Sequence, residues 1–384
     1  MSTFKTLFMK IAIDGRALTV KKPAGKEKFV INILKELFRI DKSHHYTLYL
    51  NQNFDKELPP NFSPKIIKAP NIFWHFFVVF DLIFKRPDLF FAPVSYIIPV
   101  LNFFSRNIIV IHDLCVFLSI KTGVNLKTKI IEKMFLKPAL RNSQKIVTVS
   151  NSTKQDVIRY FKISSQKISV IYHGSPQGTQ LASNPEKILT KYNLPDNFIL
   201  FIGTLEPRKN LVRLIEAYHL LNQKSKIKNQ KLVIVGKKGW FYQEIFNKVK
   251  ELKLENEIIF TGYVPDEDLP YLYKAATCFV YPSLYEGFGL PPLEAMACGC
   301  PVITSNLSSL PEVVGEAAIL VNPYNIDEIT AALEKILTDE SLRQNLKERG
   351  FKQAQKFSWQ KTALKILKIL NEVNEGFHPS KALF

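Results

Sequence analysis

A chain of 384 residues, 46% hydrophobic and 22% charged, holds enough apolar material for two cores, which excludes a disordered, collagen-like or coiled-coil protein. Its four cysteines (Cys115, Cys278, Cys298 and Cys300) show no C-x-x-C pairing, so neither a disulfide framework nor a zinc ribbon is expected and the chain reads as cytoplasmic. The net charge of +18 is uneven: 27 basic less 11 acidic residues gives +16 over 1–180, and 25 less 23 gives +2 over 181–384, a field suited to nucleic acid, an anionic membrane surface or a phosphorylated substrate, with solubility as the plain alternative.

The opening MSTFKTLFMKIAID has no apolar stretch long enough for a signal peptide before a strand, KIAID, begins. GKEKFVINILKELFRI has helical periodicity, and TLYLN is the next strand. Ile72–Phe84 (IFWHFFVVFDLIF) is intensely apolar but only 13 residues long and contains His75 and Asp81. It is too short to span a bilayer and reads either as a core helix or, with Lys85 and Arg86 beside it, as an interfacial one. Leu89–Ser105 is broken by Pro93 and Pro99. Further short apolar runs follow: DLFFAP, NIIVIHD, KIVTVS and KISVIYHG.

The polar stretch Ser175–Lys191 reads as a linker. Beyond it, FILFIGT, KLVIVG, IIFTGYV, CFVYPS and PVITSN are strands separated by helices such as LVRLIEAYHLLNQ. This alternation predicts α/β architecture with two doubly wound parallel sheets: residues 1–178, a linker 179–191, residues 192–357, and a C-terminal helix from 358. In open sheets of this kind ligands bind outside the carboxyl ends of the strands, so chemistry-bearing motifs are expected there, along a shared cleft.

They are found there. YPSLYEGFGLPPLE (Tyr281–Glu294) puts Glu286, Gly287 and Gly289 in a loop before a helix whose first turn carries Pro291 and Pro292. Glycines permit close backbone approach, a helix N-terminus attracts phosphate, and carboxylates accept from hydroxyl pairs. Glu294 taken alone would be an ordinary helix acid. FILFIGTLEPRKNL places Gly203 at a strand end, with Arg208 and Lys209 just before a helix, where two cations oppose the macrodipole and suit a diphosphate better than a structural role. VIHDL sets His112 at another strand end, either as a core histidine or aimed at substrate. IDGRALTVKKPAG offers Gly15 or Gly25 to a phosphate, a weak signal by itself.

YEGFGLPPLEAMACGCPVITSNLSSLPEVVGEAA, FIGTLEPRKNL, FTGYVPDEDLPYLYKAA and VIHDL together resemble retaining glycosyltransferase family 4, of GT-B fold, with Glu286 and Glu294 matching its Glu-x7-Glu motif. The resemblance runs almost unbroken from Phe198 to Trp359 and in pieces before that (IDGRAL, GKEKFVINIL, IVTVSNSTKQDVIRYF). It implies two Rossmann-like domains facing across a cleft, the first binding acceptor, with FSWQKTALKILKILNEV crossing back to it. It also implies that Arg208 and Lys209 bind the donor diphosphate and Glu294 the ribose. Glu286, with the N–H groups of Phe288, Gly289 and Leu290, would hold the donor sugar, and Gly203 at its strand end would be among the donor-binding residues. Gly15 would approach the phosphate, and His112 would line the sugar site. The resemblance implies neither metal nor cofactor, since the nucleoside-diphosphate sugar is substrate. YHGSPQG and KPAGKEKF depart from the family's usual patterns, which touches the first domain's phosphate contacts.

The expected activity is transfer of a hexose with retention onto a lipid-linked oligosaccharide or surface polysaccharide, at the inner face of the cytoplasmic membrane. The likeness is greatest to mannosyltransferases of O-antigen or capsule assembly, which favours GDP-mannose over a UDP-glucose-type donor. A nucleotide-sugar epimerase would lack this Glu-x7-Glu loop, and a nucleic-acid-binding protein would show a recognition signature that this chain lacks. Replacing Glu286 or Lys209 by Ala is expected to abolish transfer and spare the fold.

Overall fold

The computed structural model describes residues 8–118, 126–175, 185–224 and 230–375. They form two units, the first from residues up to Leu114, from Leu126 to Gly174 and from Trp359 onward, the second mainly Ser175–Ser358.

The first unit is built on seven parallel strands: β1 (Lys10–Asp14), β2 (His45–Leu50), β3 (Phe62–Ile66), β4 (Leu89–Ala92), β5 (Arg106–Ile111), β6 (Lys145–Thr148) and β7 (Ile168–Val170). Their order is β3-β2-β1-β4-β5-β6-β7. The second has six: β8 (Phe198–Ile202), β9 (Lys231–Val235), β10 (Ile258–Gly262), β11 (Cys278–Tyr281), β12 (Val302–Ser305) and β13 (Ala318–Val321), ordered β10-β9-β8-β11-β12-β13. Central strands such as β4, β8 and β11 are buried at every position, as helices on both faces require. Strand order reverses between β1 and β4 and between β8 and β11. At such a switch the loops diverge and leave a crevice at the carboxyl ends.

The Phe-rich segment is helix Asn71–Lys85, with one side in the core and the other exposed. Trp74, Val78 and Leu82 are buried, while Phe73, Phe76, Phe77, Phe80 and Phe84 are exposed. Among the described residues no helix is long and apolar enough to cross a membrane. Of the stretch 179–191 expected as linker, 179–184 lies outside the described residues, and Glu186–Lys191 is a helix. The C-terminal helix Trp359–Glu375 packs on helix Gly25–Ile40. Thr362 donates to the Tyr172 carbonyl (2.8 Å), Arg106 to that of Val373 (2.7 Å), and Asn371 bonds His44 (2.8 Å).

Candidate active site

The second unit's switch point gathers the residues expected there. Gly203 directly follows strand β8, and a Cβ there would lie 3.2 Å from the Phe201 ring and 3.7 Å from that of Tyr281. A short 3-10 turn, Pro207–Lys209, then closes on Asn210, held at φ 62°. The Asn210 amide donates to the carbonyls of Pro282 (3.1 Å) and Pro323 (2.6 Å), tying the turn to the loop after β11. This positions Lys209 and Arg208 against Glu286, which the same loop carries.

Glu286 is 8% exposed and serves both cations: Lys209 Nζ stands 2.6 Å from Oε1 and Arg208 Nη1 3.0 Å from Oε2. Oε1 also accepts from Tyr281 (2.9 Å) and Ser283 (2.6 Å). Lys209 donates a second bond to the Tyr281 hydroxyl, and Arg208 reaches Glu206 (2.8 Å) and the Tyr285 carbonyl (2.7 Å). Burial by itself would raise the Glu286 carboxyl, but Arg208 and Lys209 outweigh it and hold it at about 2. Burial and then Arg208 pull the Lys209 ammonium down, against Glu286. Glu286 is therefore an ionised acceptor, held rigidly. Two cations and two carboxylates make the cluster formally neutral.

Beside it begins helix Leu290–Ala297. Gly289 sits at φ 113°, and a Cβ there would meet Leu310 Cδ2 at 2.8 Å, so only glycine fits. Pro291 and Pro292 carry no N–H, and the N–H groups of Gly289 and Leu290 make no hydrogen bond to the described residues. They are the donors this helix start presents to a ligand. The preceding loop is pinned by Ser309, which donates to the carbonyls of Glu286 (2.9 Å) and Phe288 (2.6 Å). Glu294, inside the helix, accepts from Tyr273 (3.2 Å).

Gly15 and His112 belong to the first unit. The Gly15 N–H donates to the Tyr49 carbonyl (3.0 Å), and Leu50 (3.1 Å) and Leu48 (3.4 Å) crowd its missing Cβ. That amide is hydrogen-bonded within the first unit; Gly25, first residue of helix Gly25–Ile40, has open space where a Cβ would stand. His112 follows β5, buried, with Nε2 2.8 Å from the Pro93 carbonyl. A carbonyl only accepts, so Nε2 carries the proton and Nδ1 is an acceptor, buried without a hydrogen-bond donor. Burial first and Lys26 second lower this imidazole to about 4, so it is neutral at pH 7.

Sequence reasoning missed Glu206, Tyr281, Ser283 and Ser308. Glu206 lies two residues before Arg208, its one local signal; Ser308, which accepts from the Glu286 N–H (3.1 Å), has none. Among the described residues there is no group of three His, Cys, Asp or Glu side chains able to hold a metal ion.

Residues 186–353 match the family model described as Glycosyl transferases group 1, and residues 25–175 that described as Glycosyltransferase Family 4. O-antigen chain mannosyltransferase B of Escherichia coli is 39% identical over 259 residues, 66% of this chain and 67% of that protein. The serotype-specific mannosyltransferase WbdA of Escherichia coli is 39% identical over 225 residues, 57% of this chain but 27% of its own length. Among solved structures, sucrose-phosphate synthase from Thermosynechococcus elongatus superposes with a TM-score of 0.78 at 21% identity, covering 96% of this chain and all (100%) of its own, which shows the GT-B fold.

Proposed function

The chain belongs to the group 1 glycosyl transferases of glycosyltransferase family 4, a glycosyltransferase with relatives named for O-antigen mannose transfer, and from that premise we propose that it moves mannose from GDP-mannose, with retention and without metal, to a lipid-linked oligosaccharide or surface polysaccharide at the inner face of the cytoplasmic membrane. The observation that carries this reading is the Arg208–Lys209–Glu286 cluster, with Lys209 and Glu286 buried, beside the amides of Gly289 and Leu290.

Breaking the bond from the anomeric carbon to the β-phosphate oxygen puts positive charge on the sugar and negative charge on the leaving phosphate. Arg208 and Lys209 sit in a prearranged, largely buried cluster, where a growing negative charge is worth more than in water. As the diphosphate takes up their hydrogen bonds, Glu286 turns from partner of the cations to acceptor for sugar hydroxyls. The amides of Gly289 and Leu290 donate to the same ligand and need no counter-ion. The acceptor hydroxyl oxygen bonds to the anomeric carbon on the face the phosphate leaves, and its proton passes to the departing β-phosphate oxygen. Glu286, still hydrogen-bonded by Tyr281 and Ser283, binds rather than attacks.

A thermal-shift panel of GDP, UDP, ADP, GDP-mannose and UDP-glucose in chelator tests the donor. A ligand at a hundred times its dissociation constant adds about 2.7 kcal/mol, readily seen as a rise in Tm. GDP and GDP-mannose are expected to stabilise selectively. Selective response to UDP and UDP-glucose would reassign the donor to a UDP-sugar, and a response only when divalent metal is restored would overturn metal independence. An inverted anomeric configuration in the product, read by NMR, would overturn retention.

A further inference from the structure

Helix Asn71–Lys85 is apolar on both sides. Trp74, Val78 and Leu82 are buried at i, i+4 and i+8. On the other side Phe73, Phe76, Phe77, Phe80 and Phe84 follow the same three-and-four spacing, each more than half exposed, a row with no use in water. The helix's acid, Asp81, accepts from Tyr49 (2.9 Å) and pairs with Lys65 (3.3 Å), and Lys85 and Arg86 close it.

Its neighbours continue the pattern. Helix Ile97–Leu101 packs against it and runs into the exposed Phe103 and Phe104. Helix Leu126–Asn142 packs on Ile97–Leu101 in turn and exposes Leu126, Ile130 and Met134 at four-residue spacing. Lys127, Lys129, Lys133, Lys137 and Arg141 are interleaved and exposed, while its acid, Glu132, is buried beside Lys26 (3.8 Å). Exposed apolar rows thus alternate with cations, and neither helix presents an exposed acid.

We propose that helices Asn71–Lys85 and Leu126–Asn142 seat the first unit on an anionic phospholipid bilayer, the phenylalanines entering the interface and the lysines meeting lipid phosphates. The inference rests on the lipid-linked acceptor proposed above and assigns the surface that brings the enzyme to it. Charge selects this occupant: a second copy docked through the same face would set these five cations against their own counterparts.

The test is co-sedimentation of the full chain with phosphatidylcholine vesicles and with vesicles about one third phosphatidylglycerol, and light scattering without lipid. Binding to the anionic vesicles is expected to be about tenfold tighter or more. Phe77→Ser with Phe80→Ser should weaken it about tenfold, and Lys129→Glu with Lys133→Glu should erase the preference for anionic lipid. Both double variants should keep the native Tm and its rise with GDP-mannose. Vesicle binding untouched by the phenylalanine changes, or absent in the native chain, would overturn the proposal. So would a lipid-free dimer that those changes dissolve. A native chain that binds vesicles as expected but ignores every nucleotide would refute the donor reading and leave this surface standing.

Discussion

Lys209 and Glu286 form a buried pair, and removing one partner leaves the other to Arg208 or Glu206 in a cluster whose charges no longer balance, a loss of up to about 3–5 kcal/mol. Glu286→Gln or Lys209→Met should therefore lower Tm as well as abolish transfer. The double variant should recover much of the lost stability and none of the activity. A double-mutant cycle followed by thermal denaturation and transfer assay checks this, and additive losses would mean the two side chains are not coupled. The same carboxyl sets an acid limit. Its folded value of about 2 lies below the ordinary 4.5, so its stabilisation is complete above pH 4.5 and drains away as pH falls towards 2. Urea denaturation should show that acid loss shrinking in Glu286→Gln. His112, lowered to about 4, should show no change in its ring-proton NMR shift between about pH 5 and 8. Gly289→Ala, forced to φ 113° against Leu310, should cost about 1–3 kcal/mol and donor binding, whereas Gly25→Ala is expected to be tolerated. Arg208, Lys209 and Glu286 were legible because each directly follows a strand signal. Tyr281 and Ser283 were not read as their supports, because they become so only when β8 and β11 bring together loops about seventy residues apart.

Strand and helix signals were legible wherever an element is buried along its length. KIAID, FILFI and CFVY are uninterrupted apolar runs, and GKEKFVINILKELFRI has the helical period from end to end. Strands β3 and β13 were missed, and both lie at sheet edges. FSPKI has one buried residue and a proline, which an edge tolerates because it needs no ladder donor on its outer side. AILV has only Val321 buried, so its burial gives no run to read. The C-terminal helix was legible as a helix, and its packing shows why it matters to the first unit. Ala363, Ile366, Ile369, Leu370 and Val373 are buried on one side of it. Leu370→Ala should cost about 2–5 kcal/mol. The loss should appear as faster amide exchange in β1, β2 and helix Gly25–Ile40, with β8 and β11 unchanged. Faster exchange spread equally over both sheets would mean that the units unfold as one.

At the scale of the whole molecule the chain separates two kinds of electrostatics. The first 180 residues carry +16, with five exposed lysines on the two helices assigned to the bilayer, and the rest carries +2. Exposed charges answer to the ionic atmosphere, which at 0.1 M salt screens beyond about 10 Å; of the donor-site cations Lys209 is buried and Arg208 half-buried, and their cluster is neutral before ligand arrives. Salt should therefore divide the reaction. Raising sodium chloride from about 50 to 500 mM should leave the nucleotide dissociation constant within about threefold, because Arg208 and Lys209 act at contact distance with no condensed counterions to release. Transfer to an acceptor embedded in anionic vesicles should fall by about tenfold or more over the same range, because each lysine at a lipid surface contributes about 1 kcal/mol that salt removes. Transfer to a short water-soluble acceptor should follow the nucleotide and stay nearly flat. Calorimetric titration of the nucleotide beside the two transfer assays measures all three. If the soluble acceptor lost activity as steeply as the embedded one, the basic half would be acting on the acceptor's own charge rather than on the membrane.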